Sequence, residues 1–203
     1  MLLRGKFFGV TDWFVFLDLP HRPRLAEEEI KERYLRLAAK YHPDGAGGDE
    51  RSFADLQVAY KGLLEPAARV RHLLAVKFPD FQVAGGAMPL TELFMQVGPV
   101  LQQAKVTEER LEKATATLSR TMASLDVAET LLKLRTVREA AEQARVDLEE
   151  RLRELDRRWP EVEPGELARW ASEWNFLAKW RGELNEWEFR LANVGPLPKV
   201  GQT

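Results

Sequence analysis

The stretch "KYHPDGAGGDE", residues 40 to 50, joins the end of a strongly patterned helix to a loop rich in glycine. Proline disfavours helical geometry in the residue before it, so His42-Pro43 predicts the end of a helix. Asp44-Gly45 is an ordinary turn pair. These rules explain why a helix ends here, but they do not explain why histidine, proline and aspartate follow one another at this point. The triplet is therefore a candidate functional site.

The sequence on both sides of this loop predicts two antiparallel helices. The first, Ala26 to Tyr41, opens with acidic residues Glu27 to Glu29, which suit a helix N-terminus. Its apolar side chains share one face: Ile30, Tyr34, Leu37, Ala38 and Tyr41. The second helix is marked by Phe53, Leu56, Tyr60, Leu63 and Leu64. A short aromatic helix capped by Asp12 and a helix from Pro66 to about Phe78 complete an all-helical unit.

The remainder of the chain also repeats at helical spacing. "PDFQVAGGAMP", residues 79 to 89, has the prolines and glycines of a boundary, and a helix begins at Thr91 that we expect to be disturbed at Gly98-Pro99. Leucines then recur every seven residues and predict coil-like packing: Leu111, Leu118, Leu125 and Leu132. An intramolecular hairpin or self-association would each satisfy this pattern.

Two further helical features follow the leucine repeat. Asp126 with Glu129 resembles a capping box, which predicts a helix break near Ser124 to Asp126. One long helix with a stutter is the alternative. The last helix, about Glu166 to Ala192, carries large apolar residues on one face, and this spacing predicts a packed core rather than a base-stacking surface. These residues are Trp170, Trp174, Leu177, Trp180, Leu184, Trp187 and Leu191.

Composition excludes several functional classes. The 203-residue chain has a formal net charge of −2, which argues against a generally basic nucleic-acid-binding surface. It has no cysteine, so disulfides, thiolate metal sites and cysteine nucleophiles are absent. We predict a cytoplasmic protein. Arg4 and Lys6 interrupt the apolar N-terminus, so neither a signal peptide nor a membrane span is predicted there.

The candidate site does not have the pattern of an enzyme. His42 could join only His21 and His72, and none of these is spaced as in a metal-binding motif. "GAGGD" lacks the lysine and hydroxyl of a phosphate-binding loop. We therefore predict no catalytic residue, no cofactor and no metal.

Three segments around the triplet resemble a J domain, the module that stimulates ATP hydrolysis by DnaK-type chaperones. "DWFVFLDLP" resembles the first helix of that family, "IKERYLRLAAKYHPD" its second helix and His-Pro-Asp signature, and "LQVAYKGLLEPAAR" its third helix and the start of its fourth. The resemblance covers residues 12 to about 78. It implies an N-terminal J domain whose His42, Pro43 and Asp44 contact the partner chaperone.

Basic side chains precede the triplet on the same helix: Arg33, Arg36 and Lys40 form a stripe at i, i+3 and i+7, and Lys31 lies beside the apolar face. Such a stripe would steer an acidic partner toward the site. Pro43 restricts the backbone, and Asp44 can accept hydrogen bonds from a partner's arginine. Leu35 stands where many J domains have another basic residue, so this surface is less positive than in those relatives.

The second half of the chain resembles the HscB type of J-domain co-chaperone. "ARVRHLLAVKFPDF" and "WNFLAKWRGELNEWEFRL" are similar to segments of that family, whose C-terminal bundle of about three helices presents an iron–sulfur scaffold protein to a DnaK/HscA-type chaperone. The corresponding client-binding residues here are Leu93, Phe94, Met95 and Val97. Gly98-Pro99 and glutamines replace the charges that follow this run in the family.

The predicted organisation is all-α. A J domain spans residues 10–78, a linker 79–90, a C-terminal helical bundle 91–194 and a flexible tail 195–203. Two alternatives remain: a J-domain protein with a different client, and a self-associating coiled-coil protein with a vestigial J domain.

Overall fold

The computed structural model describes residues 6–7, 10–43, 48–82 and 90–193, and these residues are predominantly helical. Two compact units contain residues 1–86 with 148–174 and residues 87–147 with 175–203. The predicted all-α class is confirmed. The elements are β1 (Lys6–Phe7), β2 (Val10–Thr11), α1 (Trp13–Leu17), α2 (Glu27–Tyr41), α3 (Glu50–Leu64), α4 (Pro66–Lys77), α5 (Thr91–Lys113), α6 (Thr117–Arg158) and α7 (Pro164–Asn193).

The first unit begins with a minimal antiparallel pair, β1 and β2, in which Lys6 is opposite Thr11. Asp12 then caps α1, as predicted, because its carboxylate accepts hydrogen bonds from the N–H groups of Phe14 and Val15. The helix ends at Asp18, which adopts the left-handed conformation with φ of 55°. A short side chain tolerates this geometry, and it turns the chain sharply toward α2.

Helices α2 and α3 form the predicted hairpin. Ile30 of α2 and Leu56 and Leu63 of α3 are fully buried with Phe14 and Leu17 of α1. Above this apolar core the rings of Tyr34 and Tyr60 stack with their centroids 4.1 Å apart. Burying one aliphatic side chain of this kind contributes roughly 1.5–3 kcal/mol, so the hairpin is held mainly by apolar packing.

Helix α4 is joined to other elements of the first unit by hydrogen bonds of two buried polar side chains, Arg69 and His72. Arg69 donates hydrogen bonds from Nε to the carbonyl of Pro23 at 2.9 Å and from Nη1 to that of Leu63 at 2.6 Å. His72 accepts a hydrogen bond from the backbone N–H of Trp13 at 2.9 Å, and the two rings stack. Burial lowers the pKa of Arg69 to about 10, so the guanidinium remains charged at neutral pH.

Residues 148–174 complete the first unit. Arg22, in the loop before α2, binds the carboxylate of Asp156 near the end of α6 at 2.8 Å. Trp170 of α7 is fully buried, and its indole N–H donates to the carbonyl of Leu148 at 2.8 Å. The first unit therefore combines the four N-terminal helices with a segment from much later in the chain.

Helix α5 continues through Gly98-Pro99, where the sequence predicted a disturbance. Pro99 removes one backbone donor, but it lies on the exposed side of the helix, where water can bind the carbonyl that loses its partner. None of the helices among the described residues is long and apolar enough to cross a membrane.

The predicted break near Ser124 to Asp126 is wrong. The chain leaves helical geometry earlier, at residues 114–116, and α6 then runs without interruption from Thr117 to Arg158. The hydroxyls of Ser124 and Thr130 donate to carbonyls four residues earlier, so they stay within the helix instead of capping one. Asp126 lies 3.3 Å from Arg110 of α5 and makes no cap.

Of the two packings that would satisfy the leucine repeat, an intramolecular hairpin is not what the described residues show, although Leu111 is half-buried. Leu118, Leu125 and Leu132 have 73%, 66% and 66% of their surface exposed. The buried face of α6 in the second unit is instead formed by Ala123, Thr130, Leu134, Val137 and Ala141.

Burial of the apolar strip of α7 confirms that it is core. In the first unit Trp170 is fully buried and stacks on Trp174. In the second unit Leu177, Trp180, Leu184 and Leu191 are buried. Arg190 of α7 pairs with Glu108 of α5, and Glu188 pairs with Arg135 and Arg138 of α6. These pairs connect α5 and α6 to α7 within the second unit.

Candidate functional site

The candidate site lies where α2 ends. His42 caps the helix, and its backbone N–H still bonds to the carbonyl of Ala38 at 2.9 Å, while its ψ of 132° directs the chain away from the helix axis. Proline at position 43 requires this extended conformation of the preceding residue. His42 is exposed, and its ring meets Phe53 of α3 edge-on at a centroid distance of 5.4 Å. Asp44 lies outside the described residues.

The loop that follows is closed by contacts at its base. The backbone N–H of Asp49 donates to the carbonyl of Tyr41 at 3.3 Å, and the Asp49 carboxylate caps α3 by accepting from the N–H of Arg51. The side chain of Ser52 also donates to this carboxylate. The end of α2 and the start of α3 are therefore tied together on either side of the triplet.

Gly48 closely approaches the backbone of His42 and Pro43. A Cβ atom on Gly48 would lie 2.2 Å from the carbonyl oxygen of His42 and 2.7 Å from that of Pro43. These are backbone atoms that cannot rotate out of the way, so only glycine fits in this conformation. From the sequence alone, Gly48 was not predicted to differ from the other glycines of the loop. Its position at the end of the glycine run was the available signal.

The carboxylate of Asp18, which was not predicted from sequence to belong to the site, pairs with part of the basic stripe on α2. Arg33 and Arg36 approach the same oxygen of Asp18, at 2.8 and 3.5 Å. Lys31 and Lys40 are exposed, and the ammonium group of Lys40 lies 5.4 Å from the ring centre of Tyr41. Leu35, between the arginines, is exposed as expected. The surface is positive but partly neutralised near α1.

This arrangement fits protein docking better than catalysis. Arg36 and Lys40 are exposed on one face of α2 and His42 is exposed at its end, so these side chains can bind an acidic surface by charge and hydrogen bonding. Within the described ranges no three histidine, aspartate or glutamate side chains are grouped closely enough to hold a metal ion.

The run predicted to bind a client, Leu93 to Val97, is divided between core and surface. Leu93 and Val97 are buried, whereas Phe94 and Met95 have 38% and 66% of their surface exposed. The ring of Phe94 lies 6.0 Å from that of buried Trp180, and Phe176 of α7 lies 5.7 Å from Trp180. Phe176 is partly exposed and extends this surface. Phe176 was not predicted as a site residue from the sequence, and its position out of phase with the core strip of α7 was the available signal.

An all-α domain whose helical hairpin carries an exposed His-Pro turn beside a basic helix is a protein-docking module. Residues 12–72 match the family model of the DnaJ domain, and this part of the chain belongs to that J-domain family. Protein psi1 of Schizosaccharomyces pombe is 38% identical over 60 residues, which are 30% of this chain and 16% of that protein. Chaperone protein DnaJ of Trichormus variabilis is 48% identical over 48 residues, 23% of this chain and 13% of the relative.

The similarity to these relatives is confined to a minor part of each. Chaperone protein DnaJ 1 of Synechocystis is 42% identical over 62 residues, 30% of this chain and 16% of that protein. The chain thus spans less than a fifth of the length of these curated relatives.

Proposed function

We propose that this protein is a co-chaperone that stimulates the ATPase of a DnaK/HscA-type chaperone. The observation that carries the proposal is the exposed His42-Pro43 turn at the end of α2, beside basic residues and within a segment that matches the DnaJ domain. Curated relatives that share this segment bear the name chaperone protein DnaJ. The protein itself would catalyse no reaction.

The docking surface would work in two stages. Lys31, Arg36 and Lys40 attract an acidic region of the chaperone and set the orientation of the encounter. The triplet then makes short-range contacts: Pro43 restricts the backbone, His42 offers ring nitrogens as donor or acceptor, and Asp44 pairs with a partner arginine. The hydrogen bond from the Asp49 N–H to the Tyr41 carbonyl holds the base of the loop in place while these contacts form.

We also propose that the helices after residue 90 carry the client, and that this client is an iron–sulfur scaffold protein. Phe94 and Phe176 are both partly exposed and lie against the buried ring of Trp180, and Met95, next to Phe94 in α5, is 66% exposed. Exposed apolar groups that are clustered on a folded protein mark binding sites. Leu93 and Val97 would support this surface from inside the fold.

The chaperone assignment is tested by single-turnover ATP hydrolysis. Wild-type protein should accelerate hydrolysis by a DnaK-type chaperone, and Asp44→Asn should return the rate to its basal value, because an amide cannot pair with an arginine as a carboxylate does. Asp80→Asn, an exposed aspartate far along the chain, is the matched control and should retain full acceleration. Full acceleration by Asp44→Asn would refute the proposed docking mode.

The client assignment is tested by a pull-down with an iron–sulfur scaffold protein. Phe94→Ala and Met95→Ala should each weaken capture. Met95→Ala should do so with little loss of stability, since this side chain is 66% exposed, whereas Phe94→Ala also removes a ring that packs on Trp180 and should cost some stability. Phe189→Ala removes an equally large ring that is 70% exposed elsewhere, and it should bind like the wild type. No capture by wild-type protein that still stimulates the ATPase would leave a J-domain protein with a different client.

A further inference from the structure

Helix α6 has an apolar stripe on a face that the fold of the chain leaves exposed. We define the leucine stripe as Leu118, Met122, Leu125 and Leu132. Met122 has 61% of its surface exposed, and each of the three leucines has 66% or more. At 100° per residue these four side chains fall within about 80° of one another around the helix axis.

The leucine stripe is separate from the core face of the same helix. Ala123, Thr130, Leu134 and Val137 are buried, and Thr130 shares a hydrogen bond of 3.0 Å with Thr107 of α5. These residues project roughly 130° away from the stripe around the axis. The helix is therefore apolar on two faces, and burying one face in the bundle leaves the other exposed to water.

The size of the stripe is that of a binding surface. Burial of an aliphatic side chain removes on the order of 100 Å² of apolar surface, so four such side chains offer roughly 400 Å². Isolated exposed leucines are common on proteins, but four large apolar side chains that repeat along one exposed helix face mark an interaction site. The leucine stripe lies on a different helix from Phe94, Met95 and Phe176, so it is not accounted for by the proposed client surface.

We propose that the leucine stripe binds a second copy of this chain in an antiparallel, two-fold arrangement. The spacing of seven residues makes the stripe self-complementary: with the two-fold axis at Leu125, Leu118 of one copy meets Leu132 of the other. Two copies together bury about 800 Å² of apolar surface, with polar residues at the rim adding to it. This area predicts a reversible dimer whose population depends on concentration.

Charge on the same face selects the antiparallel orientation. Glu129 lies on the stripe between Leu125 and Leu132, and a parallel pair in register would place two glutamates against each other. The antiparallel pair brings Glu129 opposite Thr121 of the second copy instead. Lys133 forms an ion pair of 2.7 Å with Glu129 and lowers the pKa of Glu129, so this carboxylate is charged at neutral pH.

Sedimentation velocity of the 203-residue chain over a range of about 5 to 200 μM tests the proposal. Wild-type protein should shift from monomer toward dimer as concentration rises, and Leu125→Glu should remain a monomer because it places two charges at the two-fold axis. Phe189→Glu is the matched control, since it introduces the same charge at an equally exposed ring and should dimerise normally. A wild-type protein that is monomeric at every concentration would overturn the proposal.

The absence of native cysteine allows the orientation to be tested by disulfide cross-linking. Leu125→Cys should cross-link to itself on oxidation, and a mixture of Leu118→Cys and Leu132→Cys should form a mixed dimer. Leu118→Cys alone should cross-link poorly. Efficient cross-linking of Leu118→Cys to itself, without the mixed product, would overturn the antiparallel arrangement. Neither experiment involves the chaperone, so its failure is distinguishable from failure of the proposed function.

Discussion

His72 joins two helices of the J domain through a bond that depends on its neutral ring. Its Nε2 atom accepts the backbone N–H of Trp13 at 2.9 Å, and a protonated ring nitrogen cannot accept a hydrogen bond. Desolvation by burial lowers the pKa of His72, although the carboxylate of Asp12, 3.9 Å away, opposes this shift, and nearby His21 adds to it. The folded domain therefore favours the uncharged ring.

This lowered pKa predicts a loss of stability in acid. The unfolded chain binds a proton at His72 near pH 6.5 while the folded domain still resists protonation. The free energy of unfolding should thus be fully retained above that pH and fall as pH decreases from it toward the pKa of the folded state. His72→Gln, whose carbonyl can still accept the N–H, should reduce this pH dependence in urea titrations. An unchanged slope in His72→Gln would contradict the assignment.

Gly48 lies so close to the backbone of His42 and Pro43 that a side chain at this position would collide with it. Gly48→Ala places a Cβ against the carbonyls of His42 and Pro43, so the loop must shift and displace the triplet without altering any of its side chains. We expect ATPase stimulation to fall several-fold. Gly182→Ala is the matched control: its Cβ meets nothing within 4 Å in α7, and the change should stabilise the helix by roughly 0.5–1 kcal/mol and leave stimulation intact. Equal activity of the two variants would show that the loop geometry is unimportant.

At the scale of the element, α2 presents a basic surface whose net positive charge is reduced by Asp18 at the end of α1. Asp18 partly neutralises Arg33 and Arg36, and its side chain is 78% exposed. Exposed ion pairs of this kind contribute at most about 1 kcal/mol to stability. The balance of charge on this face can therefore be altered without unfolding the domain.

Opposite changes of charge on this surface should have opposite kinetic effects. Asp18→Asn keeps a residue that tolerates the left-handed backbone while freeing both arginines, so association with the chaperone should become faster at low salt. Lys40→Glu should slow association. Both differences should shrink as ionic strength rises and screens exposed charges. Stopped-flow rates that are identical for the two variants at low salt would show that the face does not steer the partner.

The helical elements were predictable where local signals agree with packing. Asp12 as a cap, Pro66 at a helix start and the His42-Pro43 stop each depend on neighbours in sequence, and all three were confirmed. The break near Ser124 was predicted wrongly because a capping pattern is equally compatible with hydroxyls that bond within a continuous helix. The leucine repeat shows the same limit: periodicity identifies a face, but not whether this chain or another molecule covers it.

At the scale of the whole molecule, the sequence defined the N-terminal module better than the rest. Residues 12–72 carry a motif between helices of matching pattern, and the family comparison confirms the J domain. Gly48 and Asp18 could not be assigned to the site from sequence. Their contacts with His42 and Arg33 depend on how the chain folds, and no sequence motif predicts them. The HscB-type role, the domain boundaries at 78 and 91 and the site residues stay predictions. Asp44 and the tail 195–203 lie outside the described residues.

The measurement that tests the central claim most directly is ATP hydrolysis by a DnaK-type chaperone with wild-type protein and with His42→Gln. His42 is exposed at the end of α2, so the substitution should change the free energy of unfolding by no more than about 0.5 kcal/mol. We predict that wild-type protein accelerates hydrolysis and that folded His42→Gln leaves it at the basal rate. Equal acceleration by the two proteins would contradict the account.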